Sequence, residues 1–416
     1  MDGTTPAKSK LRKYVTSRGV DPWVAGAAFL LAIFGVFAVF DASFASDLSS
    51  GARVWQKPFE HFLGILAGLV AYGVAVKMGS ARLRAWAFPI FLTVLGLCFA
   101  VLLFGTDAWG ARRRLWFFQP AEFMKPAMIL FCAYFASLTL PAFRRKCRGF
   151  LARLDGKVVP IVVRLLPLLL IGAAFILIER EPDLGTAMIV AGIFGGMLFL
   201  GLGKTLFGRR HLWVTWGLLV AGLALVVVLA FGKGYRAERL NSFLHRWERP
   251  YVDGAGHQSA LAEKAYAMSG PAGVGPLKGI AKQKLPAADT DFIFVTIAEE
   301  FGLVGGLIVI AGLAVISFRL IFLSALCTGL FPKLILAGAG WWIGLQSAFN
   351  LAVAGVLIPS VGIPLPLLSD GSSSLVAIGI ALGMCQAVLA KEVVRKVSRA
   401  PSVDRGRDRW ARISGA

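Results

Sequence analysis

Residues Pro22 to Ala42 read PWVAGAAFLLAIFGVFAVFDA, an apolar run with no charge before Asp41. A helix needs about 20 mostly apolar residues to cross a hydrocarbon layer of roughly 30 Å, and this stretch supplies them. A basic tail precedes it (Lys8, Lys10, Arg12, Lys13, Arg18), and no convincing cleavage site follows, so it reads as a retained span rather than a signal peptide. The same pattern recurs near 60–77, 84–105, 120–141, 158–178, 184–203, 212–231, 292–317, 334–357 and 374–390. The stretch 318–333 is also apolar but holds Arg319 and Lys333, which blurs that boundary. The expected fold is an all-α polytopic membrane protein of about ten transmembrane helices.

Composition agrees. Hydrophobic residues make up 57% of the chain, against roughly 45–50% in soluble domains, and the mean hydropathy is +0.72. The net charge of +21 could suggest nucleic acid, but the Lys and Arg residues fall in short clusters between apolar runs. That is the habit of cytoplasmic membrane loops, and no nucleic-acid partner is expected. Cys98, Cys132, Cys327 and Cys385 lie in or beside apolar runs and Cys147 in a basic loop; no CxxC pair occurs, so they read as packing residues.

The basic clusters set orientation. One alternating set of segments holds the N-terminal tail, Lys77/Arg82/Arg84, the Arg144–Lys157 group, Lys204/Arg209/Arg210 and the tail from Lys391. Positive charge marks the cytoplasmic side, so both termini should lie inside, which requires an even number of spans. The expected organisation is a basic cytoplasmic tail (1–21), a membrane domain (22–390) and a second basic tail (391–416). A large outer loop (232–291) separates spans seven and eight. Five connections then face outward: 43–59, 106–119, 179–183, 232–291 and 358–373. Four of them contain or adjoin every unusual polar cluster.

In GARRRLWFFQPAEFMK (Gly110–Lys125), Pro120 suits a helix start, and Glu122 and Lys125 are three apart on one face. An acid and a base entering an apolar span pair with each other or line a wet cavity, and both readings stay open. Arg112 to Arg114 could anchor lipid headgroups or bind pyrophosphate. In EREPDLGTA (Glu179–Ala187), Asp183 could cap the next helix, join a site, or do both. The long loop holds YRAERLNSFLHRWERP, Gln258 and the Gly-rich Ser269–Gly279. It reads as flexible, with glycines that would allow close backbone approach to a ligand. In LPAADTDFIF (Leu285–Phe294), Asp291 stands at the mouth of an apolar run. A partly desolvated acid there suits proton acceptance, although an exposed N-cap acid fits the spacing equally. Glu299 and Glu300, about two turns deeper, must face the bundle interior or a partner charge. Ile358–Ser374 (IPSVGIPLPLLSDGSSS) cannot form a regular helix, and such backbone at membrane depth survives only under protein or around a wet cavity.

These clusters, in this order, resemble the SEDS family of bacterial envelope proteins (shape, elongation, division and sporulation; the FtsW/RodA/SpoVE group). The matching stretches are GARRR…QPAEFMK, EPDLGTA, the YR…R…P then HQ loop, SG..G.G, TDFIF…EEFG and QSAFN…IPSVGIPLPLLSDGSSS, spanning about 22–390. The resemblance implies ten spans and peptidoglycan polymerisation outside the cytoplasmic (inner) membrane. Lipid II, a polyprenyl-pyrophosphate disaccharide-peptide, would be joined into glycan strands during division or elongation. A class B penicillin-binding transpeptidase is the implied partner, with other divisome or elongasome membrane proteins. The DASFA stretch (Asp41–Ala45) and the basic tail lean toward division-type members. The family's essential acid aligns with Asp291, and its Glu and Lys with Glu122 and Lys125. Ala287 and Asp289 depart from the usual Glu and His, Asp370 and Ser372 from Tyr and Gly, and the stretch before QPAEF is about four residues shorter.

The reaction so implied inverts an anomeric centre, for which one base suffices: Asp291 would accept the proton of the acceptor hydroxyl. Lys125, Arg113, Arg236 and Arg239 would stabilise the pyrophosphate leaving group, with a divalent cation as a further charge the chemistry could recruit. Gln119, Glu122, Asp183, Gln258, Ser369 and Ser373 complete the candidate substrate-binding set. Two other classes fit the same residues. A lipid II flippase would use the intramembrane charges as a polar path, and a catalytically weak scaffold would only recruit a transpeptidase.

Overall fold

The computed structural model describes residues 11–398 except 12, 51–53, 109–110, 116–117, 139–149, 182, 219, 221, 223–234, 250 and 254–255. Its long helices are α1 (Pro22–Ser50), α2 (Gln56–Phe104), α3 (Pro120–Ser137), α4 (Phe150–Arg180) and α5 (Leu184–Met197). They continue with α6 (Tyr235–Leu244), α7 (His257–Ser269), α8 (Ile293–Leu326), α9 (Leu330–Ala354) and α10 (Ser372–Ser398). Among the described residues, six helical stretches are long and apolar enough to cross a membrane. One of the six is α2, 49 residues long. At 1.5 Å per residue that is about 74 Å, more than twice a hydrocarbon thickness. It bends at Gly79 (φ 68°), so the expected runs 60–77 and 84–105 meet at a bend, not a loop. A π-helical turn (Leu198–Leu202) and a 3-10 turn (Gly208–Arg210) carry the chain from α5 toward the expected run 212–231, much of which lies outside the described residues.

The all-helical expectation needs one amendment. Thr106–Ala108 and Ala111–Arg114 form a small antiparallel hairpin with Asp107 opposite Arg112. It occupies the connection between α2 and α3.

Helix α3 is the centre of the bundle. Its residues from Pro120 to Ala136 are almost all buried, and Phe131 stacks on Phe91 of α2 with ring centroids 4.1 Å apart. Helix α2 also lies tightly along α10: a Cβ on Gly379 would fall 2.2 Å from the carbonyl oxygen of Gly68. Helices α8 and α9 form a hairpin whose corner is held by Glu392 of α10, which accepts from the Thr328 amide at 3.2 Å and its hydroxyl at 2.8 Å.

Helix α1 runs antiparallel to α8, tied at both ends by charge. Asp21 caps α1 by accepting from the amides of Trp23 and Val24 at 3.1 and 3.0 Å, and Arg319 Nε reaches its other oxygen at 2.9 Å. At the far end Lys282 bridges Asp41 and Glu300, all three buried. Along α1, 20 residues separate Asp21 from Asp41, or about 30 Å, which matches the hydrocarbon thickness.

In its described residues the long connection between 232 and 291 is folded, contrary to the flexible loop its composition suggests. Helix α7 and a turn at Ala281–Lys284 pack over α8 in a small second core around Ala262, Ala265, Leu285, Phe292 and Val353. The glycine run is pinned to α8. Amides of Val274 and Gly275 donate to the carbonyls of Glu299 and Glu300 at 3.0 Å each. The two carboxylates accept from the amides of Leu277 (2.7 Å), Gly279 (2.8 Å) and Ala281 (3.0 Å). Positive φ at Gly273 (79°) and Gly302 (65°) makes this approach possible; a Cβ on Gly302 would sit 2.4 Å from the Gly273 nitrogen.

Candidate functional site

The first turns of α2, α3 and α5, the residues leading into α8, and the irregular segment after α9 meet at one end of the bundle. Helix α3 begins at Pro120, as its sequence requires, and places Glu122 and Lys125 inside the protein with 4% and 1% exposure. They form an ion pair at 2.6 Å. Lys125 also donates to Gln346 Oε1 at 3.2 Å and lies 5.8 Å from the centroid of the Trp342 ring. The pair is thus enclosed by α9 rather than snorkelling to an interface.

Asp183 caps the next helix, as its sequence allows, and also contacts Gln119. Its Oδ1 accepts from the Thr186 amide at 3.0 Å and caps α5; its Oδ2 accepts from Gln119 Nε2 at 2.7 Å. The Gln119 amide in turn donates to Ser373 Oγ at 3.0 Å. Burial raises the Asp183 pKa against the Thr186 hydrogen bond and Arg113, while Glu122 raises it further. Neighbouring Glu181 is pushed up to about 8 by burial and by Asp183, with Arg113 opposing. Arg113, on the second strand of the hairpin, therefore acts on both acids.

Asp291 is half-buried. The N-cap position of α8 belongs to Phe292, without a side-chain cap, and Asp291 stands one residue before it. Its carbonyl accepts from Asn350 Nδ2 at 2.9 Å, and the same nitrogen reaches Ile363 O at 2.7 Å. A Cβ on Gly362 would stand 3.9 Å from Asp291 Oδ2. One turn before Asn350, Gln346 Nε2 donates to Pro364 O at 2.9 Å. The Glu122–Lys125 pair and Asp291 thus flank the same segment, joined through Gln346 and Asn350 of one helix face.

Ser369 belongs to that segment: its hydroxyl accepts from the Leu365 amide at 2.8 Å and donates to Thr290 O at 2.6 Å. Two of the departures from the family pattern, Asp289 and Asp370, contact each other. The Asp370 amide donates to Asp289 O at 2.9 Å, and Asp289 pairs with Lys57 at 2.7 Å. Burial pushes the Asp370 pKa up to about 6, helped by Asp289 and Glu60 and opposed by Lys57 and Arg114.

Gln258 lies half-buried in the first turn of α7 and makes no hydrogen bond to this group among the described residues. Arg236 and Arg239 are on α6, with side chains outside the described residues. Sequence reasoning missed Gln346, Asn350, Glu181 and Lys57. The first two were legible as polar residues four apart inside an apolar run. Among the described residues no three His, Cys, Asp or Glu side chains converge as metal ligands.

Apolar helices that enclose buried ion pairs and an irregular polar segment at one end define a helical integral membrane protein with a partly enclosed site. Residues 23–393 match the FtsW/RodA/SpoVE family, described as cell cycle protein, and the chain belongs to that family. A probable peptidoglycan glycosyltransferase FtsW from Allochromatium vinosum is 35% identical over 352 residues, covering 80% of this chain and 81% of that protein. The corresponding protein of Aliivibrio salmonicida is 29% identical, covering 88% and 89%. Among solved structures, a chain of a peptidoglycan synthase complex that coordinates polymerization and crosslinking superposes with a TM-score of 0.65. It is 26% identical and covers 89% of this chain and 97% of its own length. The rod shape determining protein RodA of Thermus thermophilus shares the fold, with a TM-score of 0.56, 23% identity, and coverage of 88% and 96%.

Proposed function

We infer that this protein is a peptidoglycan glycosyltransferase that polymerises lipid II on the outer face of the bacterial cytoplasmic membrane. The chain would cross ten times with both basic tails inside, which puts the polar end of the bundle outside. Family membership and the names of its relatives support the activity. The observation that carries the site is the placement of Asp291 and the Glu122–Lys125 pair on either side of residues 362–364.

Asp291 serves as the general base, taking the proton from the acceptor sugar hydroxyl as it attacks the anomeric carbon of the donor. Attack from the face opposite the leaving group inverts that carbon, so no second acid–base residue is required. The departing polyprenyl pyrophosphate needs positive charge rather than a proton. Lys125 and Arg113 supply it, with Arg236 and Arg239 from α6. Glu122 orients Lys125, while Gln119, Asp183, Ser369, Ser373 and Gln258 bind and position the sugars and phosphates. A class B penicillin-binding transpeptidase, with other division or elongation membrane proteins, would cross-link the emerging strand.

The test is lipid II polymerisation by purified wild-type protein and the Asp291→Ala variant, with and without a co-expressed transpeptidase. Loss of glycan strands in the variant is expected; equal rates would remove the catalytic assignment. Movement of lipid II across sealed vesicles without strand formation would instead mark a transporter.

A further inference from the structure

The backbone carrying Asp291 is held to an unusual degree. The carbonyls of Asp289, Thr290 and Asp291 each accept a hydrogen bond from a different donor: the Asp370 amide (2.9 Å), Ser369 Oγ (2.6 Å) and Asn350 Nδ2 (2.9 Å). Three successive peptide groups are therefore locked to the segment after α9 and to α9 itself. A fourth tie reaches a different body. Asp289 Oδ2 pairs at 2.7 Å with Lys57 Nζ in the first turn of α2. Helix α2 is fixed against α10 by glycine contacts that leave no room for a side chain: a Cβ on Gly68 would lie 2.9 Å from Leu375 O, and one on Gly64 3.0 Å from Ser372 Cα. Lys57 thus belongs to the α2–α10 unit, and its pair with Asp289 is the charged link from that unit to the strand of chain that presents Asp291.

We propose that Lys57 is a positioning residue for glycosyl transfer, acting through Asp289 to fix the Asp291 carboxylate against residues 362–364. The proposal rests on Asp291 being the base. The charges gathered here are of both signs: Asp289 pairs with Lys57, and Asp289, Glu60, Lys57 and Arg114 all act on Asp370. The Lys57 side chain is 38% exposed. The Asp289 side chain is 14% exposed, but the ammonium keeps much of its hydration, so the fold is expected to survive its removal. Placement is another matter, because a shift of about 1 Å in a reacting group can cost about a hundredfold in rate.

The experiment measures kcat and KM for lipid II polymerisation by the full chain, co-purified with its transpeptidase, for Lys57→Ala, Asp289→Ala, Lys57→Arg and the reciprocal Lys57→Asp/Asp289→Lys. Each sample is first checked for a single species by size-exclusion chromatography. The two alanine variants should lose about tenfold or more in kcat with KM changed less than about twofold. Arginine should keep most of kcat, and the charge swap should recover most of what either alanine lost. Asp291→Asn runs alongside. If Asp291→Asn polymerises at the wild-type rate, the base assignment fails and this proposal with it. If Asp291→Asn is inactive but Lys57→Ala keeps full kcat, the positioning role alone is overturned. A Lys57→Ala loss that falls entirely on KM would make Lys57 a substrate contact and overturn it as well. Should either alanine variant not give a single species, the charge swap decides: a well-behaved swap without activity counts against the proposal.

Discussion

Replacing Lys125 by Met tests whether the central ion pair has the character its surroundings imply. Glu122 Oε1 is bound by Lys125 at 2.6 Å, while its Oε2 is buried with no hydrogen-bond partner among the described residues. Removing the ammonium leaves a carboxylate inside the bundle with nothing to offset its lost hydration. Breaking a buried pair in this way typically costs about 3–5 kcal/mol, or a shift of about two to more than three orders of magnitude in the unfolding equilibrium. Converting both residues to Met should behave differently. An apolar pair of similar volume removes the desolvation cost along with the attraction, so the double variant should lie within about 1.5 kcal/mol of wild type. Unfolding in mixed micelles with rising SDS, followed by tryptophan fluorescence, reads this directly, since Trp342 lies beside the Lys125 ammonium. Both variants should fail to polymerise lipid II. The reasoning is refuted if Lys125→Met is as stable as wild type, or if the double variant is as unstable as the single one.

Two further outcomes follow from separate features. Asp370 has a folded-state pKa near 6 against an ordinary 3.8, so the native protein holds its proton more tightly than the unfolded chain. Its contribution is full below about pH 4 and is lost as pH rises through 6; Asp370→Asn should flatten the stability profile in that window, as thermal unfolding across pH 4–7 would reveal. Gly302→Ala should cost more than about 2 kcal/mol, since a side chain there meets the Gly273 backbone at 2.4 Å with φ at 65°. Protease nicking between α7 and α8 should then become rapid, and an unchanged digestion pattern would show that the contact is dispensable.

Much of the bundle could be read from apolar runs, because span length and charge clusters act over twenty residues at a time. The bend at Gly79 could not, since a glycine between Met78 and Ser80 does not announce whether a chain turns back or continues. The helix caps were legible for a local reason: Pro120 and Asp183 act on their own next turn. Glu122 and Lys125 were likewise three residues apart on a single helix. What joins them to Asp291 is a contact across more than two hundred residues through Gln346, and no spacing rule reaches that far. The glycine run was misread for the converse reason. Its partners, the carboxylates of Glu299 and Glu300, were flagged as needing a partner, but only the folded chain brings backbone amides rather than a ligand to them. Asp289 and Asp370 looked like isolated departures in sequence; in space they share a hydrogen bond and the same cation.

The charged ties at both ends of the α1–α8 pair limit how this molecule can move. Sliding one helix along the other by a single turn, about 5.4 Å, would part Asp21 from Arg319 and Asp41 from Lys282 together. Neither pair could find a substitute among the apolar residues between them. This side of the bundle is therefore a fixed post, against which α1 and α8 cannot slip without losing both ties at once.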